Sequence, residues 1–347
     1  MSEGTTYILG AGASRFARFP TSNNLQTFLR DAYNFNKQLV AGADAWLRLM
    51  GRLEERIAPA SPNIETLCTL VDLAALDSGI ASLIGLSIGE LETAPYALSR
   101  LIAAVFTHHS HRVMNQIFKN VPERLELNVA DVIAVMDAWA KILNEGDVIV
   151  TFNWDLVHEM ILAKAGKWWY ATGYGFTVSE PQKSQSPVTI LKLHGSCNWS
   201  MRHPRDPNPH LEYVEEFFNG DCPWVDLDST SRLETSADYG YSLIQPSYLK
   251  DPSGKPALLP IWAQAANAIT TAKKVTVLGY SLPLADSPTR TLLSSALSRN
   301  QSLKELEIVL GDTAEDPGYR HWRDFCSSVG KIARPTYKTF EKFVLAK

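Results

Sequence analysis

Thr151-Phe152-Asn153-Trp154-Asp155 is the stretch on which the reading of this chain turns. The apolar run Asp147-Val148-Ile149-Val150 stands before it. That run is too short for a buried helix and suits a buried parallel strand. Leu156–Ala165 follows and reads as a helix. Asn153 and Asp155 therefore fall where a strand ends and a helix begins. Open α/β sheets bind ligands just outside the carboxyl ends of their strands. The plainer alternative is a turn with an N-cap, which uses the same residue types.

Other strand ends carry similar signals. Thr5–Leu9 reads as a strand that runs into Gly10-Ala11-Gly12-Ala13-Ser14. Glycines let a phosphate approach the main chain, and a helix starting there aims free N–H groups at an anion. A dinucleotide fingerprint would place a third glycine where Arg15 stands. Arg15 and Arg18 either face a pyrophosphate as cations or are solvated surface arginines. Thr189–Leu193 is the next buried strand and ends in His194-Gly195-Ser196. A histidine there is a candidate general base, or else a satisfied core group. Leu243-Ile244-Gln245 is a short strand stopped by Pro246, and Leu259–Ala272 is a helix. Lys274–Leu278 ends in Gly279-Tyr280-Ser281-Leu282, with a helix from about Ser287. Leu306–Leu310 ends in Gly311-Asp312. Strands alternating with helices argue for an α/β fold, a Rossmann-like parallel sheet flanked by helices.

Between the first and second sheet strands the chain reads as helical. Ala43–Ile57 carries Trp46, Met50, Leu53 and Ile57 on one face. Pro62–Leu76 is expected to start with Ser61 as N-cap and Pro62 as its first residue. Pro95–Phe106 and Val129–Leu143 are further amphipathic helices. The organisation predicted is a sheet domain over 1–22 and 146–347 with a helical insertion over 23–145. His108, His109 and His111 lack a nearby Asp, Glu or Cys and read as a solvated helix end rather than a metal site. Trp168-Trp169-Tyr170 and Tyr174 are core aromatics or flank a flat ring. His203–His210 is loop, and Asp221–Tyr239 reads as a polar, irregular flap.

The bulk properties exclude several classes. The 347 residues are 45% hydrophobic and 20% charged, an ordinary globular composition, and the net charge of -4 gives no nucleic-acid signal. No apolar run approaches the ~18 residues of a membrane span, and the first residues do not form a signal peptide. Cys68, Cys197, Cys222 and Cys326 form neither a disulfide framework nor a Cys-x-x-Cys pair. A reducing cytoplasm is the expected compartment.

Taken in order, Gly10-Ala11-Gly12-Ala13-Ser14, Thr151-x-Asn153-x-Asp155, Leu193-His194-Gly195 and Gly279-x-Ser281-Leu282 resemble the sirtuin NAD-binding fold. The nearer likeness is to sirtuin-like proteins of bacterial antiviral defence, a branch that Asn63-Ile64-Glu65 and Pro246 through Lys250 also resemble. Two features depart from the sirtuin deacylases. Their zinc module uses two Cys-x-x-Cys pairs, whereas this region holds only Cys197 and Cys222. They also have glutamine where Phe152 stands. The resemblance therefore implies an NAD glycohydrolase that depletes NAD in antiphage defence, with no zinc module and no cofactor beyond NAD as substrate.

In that reading Asn153 orders the ribose hydroxyls and water, His194 is the general base, and Asp155 holds the nicotinamide carboxamide. Gly10, Ala11, Gly12, Ala13, Ser14 and Arg15 face the pyrophosphate, with Thr151 beside them. Gly279, Ser281 and Asp312 hold the adenosine half. Two alternatives stay open: a protein deacylase or ADP-ribosyltransferase, and a non-catalytic NAD sensor. No sensing domain is legible, so control is expected from assembly. A homo-oligomer paired with a HerA-type hexameric ATPase is implied, a short prokaryotic Argonaute being the other partner type. The Trp46 stripe is expected to supply part of the contact with another subunit. Direct contact with nucleic acid or membrane is not expected.

Overall fold

The computed structural model describes residues 4–35, 43–57, 63–118, 125, 127–176, 185–202, 211–213, 239–250, 258–284 and 286–347. Cys222, His203–His210 and nearly all of the expected Asp221–Tyr239 flap lie outside them.

Nine strands are described: β1 (Thr6–Leu9), β2 (Val148–Thr151), β3 (Thr189–Lys192), β4 (Gly195–Arg202), β5 (Leu211–Tyr213), β6 (Tyr239–Leu243), β7 (Lys274–Leu278), β8 (Glu305–Val309) and β9 (Arg334–Pro335). Six of them form one sheet in the order β3-β2-β1-β7-β8-β9. Every pairing in it is parallel. Counting only these strands, the order is 3-2-1-4-5-6, the doubly wound Rossmann-like arrangement. The short strands are apolar on both faces because helices cover both. β1 and β8 illustrate this, with four buried residues each.

Register decides where the site lies. Leu9 pairs with Thr151 and with Leu278, Thr151 with Lys192, and Leu278 with Val309. The carboxyl ends of five strands are therefore level. The chain winds outward from β1 through β2 to β3, then returns to β7 on the other side of β1. The β1/β7 junction is the topological switch point.

One expected strand changes. Leu243-Ile244-Gln245 is not a sheet strand of its own. Leu243 ends β6, which pairs with β4 in a separate antiparallel sheet of order β5-β4-β6. The chain enters that sheet directly after His194, because Gly195 adopts φ +78° and turns it out of the parallel sheet.

A 3-10 helix (Ala11–Ala17) and six α-helices are described between β1 and β2: α1 (Leu25–Phe35), α2 (Ala43–Ile57), α3 (Ile64–Leu76), α4 (Ser78–Ile84), α5 (Ile88–Phe118) and α6 (Val129–Ile142). α3 starts later than expected. Asn63, not Ser61, is its N-cap, and Asn63 Oδ1 accepts from the Thr66 N–H at 2.9 Å. Ser61 and Pro62 lie outside the described residues. α5 begins at Ile88, and Pro95 sits inside it rather than at its start.

The Trp46 stripe is corrected outright. Trp46, Met50 and Leu53 are only 2%, 2% and 1% exposed within the single chain, because they belong to one hydrophobic core that runs from these helices into the sheet. The Ile57 side chain lies outside the described residues. The described residues of the stripe leave no apolar face for another subunit to cover. Among the described residues, no helix is long and apolar enough to cross a membrane.

Candidate active site

A cleft of about 470 Å³ opens at the carboxyl ends of the parallel strands. That volume is ordinary for a small-molecule site. Gly10, Ala11, Gly12 and Arg15 line it after β1, Phe152 through Asp155 after β2, His194 after β3, and Gly279 through Ser281 after β7. The helices add Glu65 from α3 and Phe106 from α5.

The glycines serve first to join two turns. The Gly12 N–H donates to the Gly279 carbonyl at 3.0 Å, and the Gly10 N–H donates to the Leu278 carbonyl at 3.1 Å. Gly279 has φ +65°, and a Cβ there would stand 2.4 Å from the Ala13 nitrogen. A Cβ on Gly10 would stand 2.6 Å from the Tyr280 Cα. Backbone thus packs on backbone across the switch point. The Ala13 N–H is also taken, by the Gly10 carbonyl at 2.9 Å. Ala13 and Ser14 are buried behind the cleft. Of the β1 turn, Ala11 and Arg15 remain at its wall with spare binding capacity.

Asn153 closes this junction. Its Nδ2 donates to the Gly10 carbonyl and to Ser14 Oγ, both at 3.0 Å, and its backbone N–H donates to Thr151 Oγ1 at 3.1 Å. Thr151 therefore shapes the turn and does not line the cleft. Both donors of the Asn153 amide are spent on protein, and its carbonyl is left for a hydroxyl or water.

Asp155 stands one residue before Leu156, the N-cap of α7 (Val157–Lys164), and its Oδ1 accepts from the Val157 N–H at 3.0 Å. Its carboxyl is pushed up to about 6, chiefly by burial; Lys192 opposes the rise and Glu159 adds to it. Behind it lies a buried ionic floor. Lys192 Nζ donates to Glu159 Oε1 at 2.7 Å and to the Asp155 carbonyl, and Lys192 and Glu159 are each about 1% exposed. Tyr174 and Asn198 extend this network, so Tyr174 is a core residue.

His194 is 5% exposed. Its carbonyl accepts from Trp154 Nε1 at 3.1 Å and from the Ile244 N–H at 3.0 Å, which fixes its backbone. Burial holds the pKa of its imidazolium below the ordinary histidine value, while Asp286 works the other way and Lys250 adds to the lowering. Phe152 stands between His194 and Tyr280, with ring centroids 5.1 Å and 4.2 Å away. Phe152 is thus an apolar wall of the cleft.

The remaining expected residues divide. Ser281 lines the cleft, and its carbonyl accepts from His321 Nδ1 at 3.2 Å. Asp312 does not line it. Its carboxylate pairs with Lys342 at 2.6 Å and accepts from the Thr339 N–H at 3.3 Å. His109 is buried, and its Nε2–H donates to the Ala17 carbonyl at 3.1 Å. Among the described residues, no group of three or more His, Cys, Asp or Glu is arranged to hold a metal.

Asp286, Lys250, Tyr280 and Glu65 are among the cleft residues to which the sequence assigns no role. Asp286 precedes a helix and reads locally as a plain N-cap. Lys250 and Glu65 stood in segments noted only for resemblance. No local signal joins any of them to His194.

No protein-family model matches this chain, and no curated protein matches it. Solved structures do. One, described as Sir2Tm bound to a propionylated peptide, is 14% identical, with 98% of this chain and 90% of that chain covered and a TM-score of 0.37. Another, described as Sir2 bound to acetylated peptide, is 13% identical over the same shares with a TM-score of 0.33.

Proposed function

We propose that this chain cleaves NAD⁺ to nicotinamide and ADP-ribose. The observation that carries the reading is the convergence of Asn153, Asp155 and a buried His194 in one cleft at the switch point of a Rossmann-like sheet. It is supported by the ordered set of sirtuin-like motifs at four of the strand ends.

The bond between nicotinamide and ribose breaks with an oxocarbenium-like transition state. Its electron pair leaves with the pyridinium nitrogen, so nicotinamide departs neutral and needs no acid. Water forms the new bond to the ribose carbon, and its proton passes to His194. A base must be unprotonated to do this, and the depressed basicity of His194 keeps it neutral at pH 7. The Asn153 carbonyl accepts from the water or a ribose hydroxyl. Ala11 and Arg15 meet the pyrophosphate. Phe152 and Tyr280 keep bulk water from His194.

By the same sequence resemblance, the activity belongs to an NAD-depleting antiphage effector. Its activity depends on how its own subunits are arranged with a partner, a HerA-type ATPase or else a short prokaryotic Argonaute.

The test is nicotinamide and ADP-ribose release from NAD by the purified protein, alone and with a candidate hexameric ATPase. An acyl-lysine peptide is run in parallel. His194→Ala should lower turnover ~10²–10⁴-fold. A folded His194→Ala protein that keeps most of the rate, or deacylation without NAD hydrolysis, would overturn the reading.

A further inference from the structure

The end of β7 leads to a buried carboxylate whose local role is missing. Asp286 is the N-cap residue of the helix Ser287–Arg299, yet its side chain caps nothing. It is 1% exposed, and its Oδ1 has no hydrogen-bond partner among the described residues. Buried polar atoms are rarely left so, and an N-cap aspartate that turns away from its helix forgoes its usual stabilisation. Three groups meet its other oxygen, two of them from distant segments. Tyr280 donates to Oδ2 at 2.8 Å, Lys250 Nζ stands 3.8 Å away, and His194 Nε2 stands 3.7 Å away. Among the described residues His194 Nε2 is itself buried without a hydrogen-bond partner. Lys250 Nζ also lies 4.0 Å from Glu65 of α3.

We propose that Asp286 is the positioning residue of His194, and that Lys250, held between Asp286 and Glu65 of the helical insertion, restrains that carboxylate. This rests on the reading of His194 as the base.

The gap of 3.7 Å is somewhat longer than a hydrogen bond. Such contacts in ligand-free sites tighten when substrate closes the cleft. With the Nε2–H turned to Asp286, the tautomer is set, and Nδ1 carries the lone pair that takes the proton from water. Asp286 also stabilises the imidazolium that forms. Burial opposes ionisation of the carboxylate, but His194, Lys250 and Tyr280 outweigh it, and its pKa lies well below the ordinary carboxylate range. The charged groups acting on His194 are Asp286, Lys250 and Glu65, and the flanking rings are Phe152 and Tyr280. Because Glu65 belongs to α3, the unit ties the helical insertion to the reacting histidine.

The experiment titrates the histidine ring signals by NMR in the full-length protein. The chain has eight histidines, and His194→Gln assigns the signal in question. Asp286→Asn removes an anion and should lower the His194 titration midpoint by roughly one pH unit or more; Lys250→Met removes a cation and should raise it. Under saturating NAD, Asp286→Asn should lower kcat roughly 10- to 10²-fold, less than loss of the base itself, with little change in KM. Asp286→Glu should restore part of the midpoint.

Opposite shifts in the two variants support the proposal. Shifts of the same sign, or none, overturn it. If Asp286→Asn does not fold, Lys250→Met decides alone: a raised midpoint supports and an unchanged one overturns. The titration needs no turnover, so a protein that fails to cleave NAD would sink the proposed function while the His194–Asp286 coupling is still read.

Discussion

Replacing Asp155 by asparagine should stabilise this protein at neutral pH. The carboxyl is buried and its pKa stands at about 6 against an ordinary 3.8. A carboxyl whose pKa is raised on folding is bound more tightly by its proton in the native state. Its cost to stability is therefore absent below about pH 4, grows as pH rises towards 6, and is complete above that. About two pH units at ~1.4 kcal/mol each make this cost roughly 3 kcal/mol at pH 7. Against a typical total of ~5–15 kcal/mol, that is a large share. Asparagine carries no charge, and its carbonyl can still accept from the Val157 N–H that Asp155 now holds at 3.0 Å. Urea unfolding of both proteins at pH 7 and pH 4, extrapolated linearly, measures the difference. A gain near 3 kcal/mol at pH 7 should shrink to well under 1 kcal/mol at pH 4. No gain at pH 7, or an equal gain at both values, would refute the reasoning. The same variant should turn over NAD more slowly, since a destabilising charge retained in a cleft is the usual mark of function over stability.

Two further outcomes follow from the geometry. Gly279→Ala forces a Cβ to within 2.4 Å of the Ala13 nitrogen at φ +65°, so the β1 and β7 turns must part; thermal unfolding should show clear destabilisation, and NAD turnover should fall with it. Lys192→Met strands Glu159 without its cation in the core and should cost about 3–5 kcal/mol in urea unfolding, a loss that a second replacement, Glu159→Leu, recovers in large part.

The parts of this protein legible in its sequence are those that local chemistry specifies. Short apolar runs between glycines and polar residues mark β1, β2, β3, β7 and β8, because strand burial and chain reversal each depend on a few adjacent residues. Those runs imply the parallel sheet, and their ends hold Asn153, Asp155 and His194. The Trp46 stripe shows where the limit falls. Periodicity reveals that one face of α2 is buried, but not against what, and the answer is the chain's own core. Glycine at positions 10, 12 and 279 suggests phosphate contact when each turn is read alone. Folded together, they are first a backbone-to-backbone joint. Asp312 shows the converse, since a turn aspartate after a strand looks like a ligand until Lys342 is placed beside it. Asp286 is the sharpest case. Its sequence neighbours describe a helix cap, whereas His194 reaches it from the end of β3 and Lys250 from the segment after β6, with Glu65 of α3 joined through Lys250. An electrostatic contact depends on distance in space, and the sequence encodes that distance only through the whole fold.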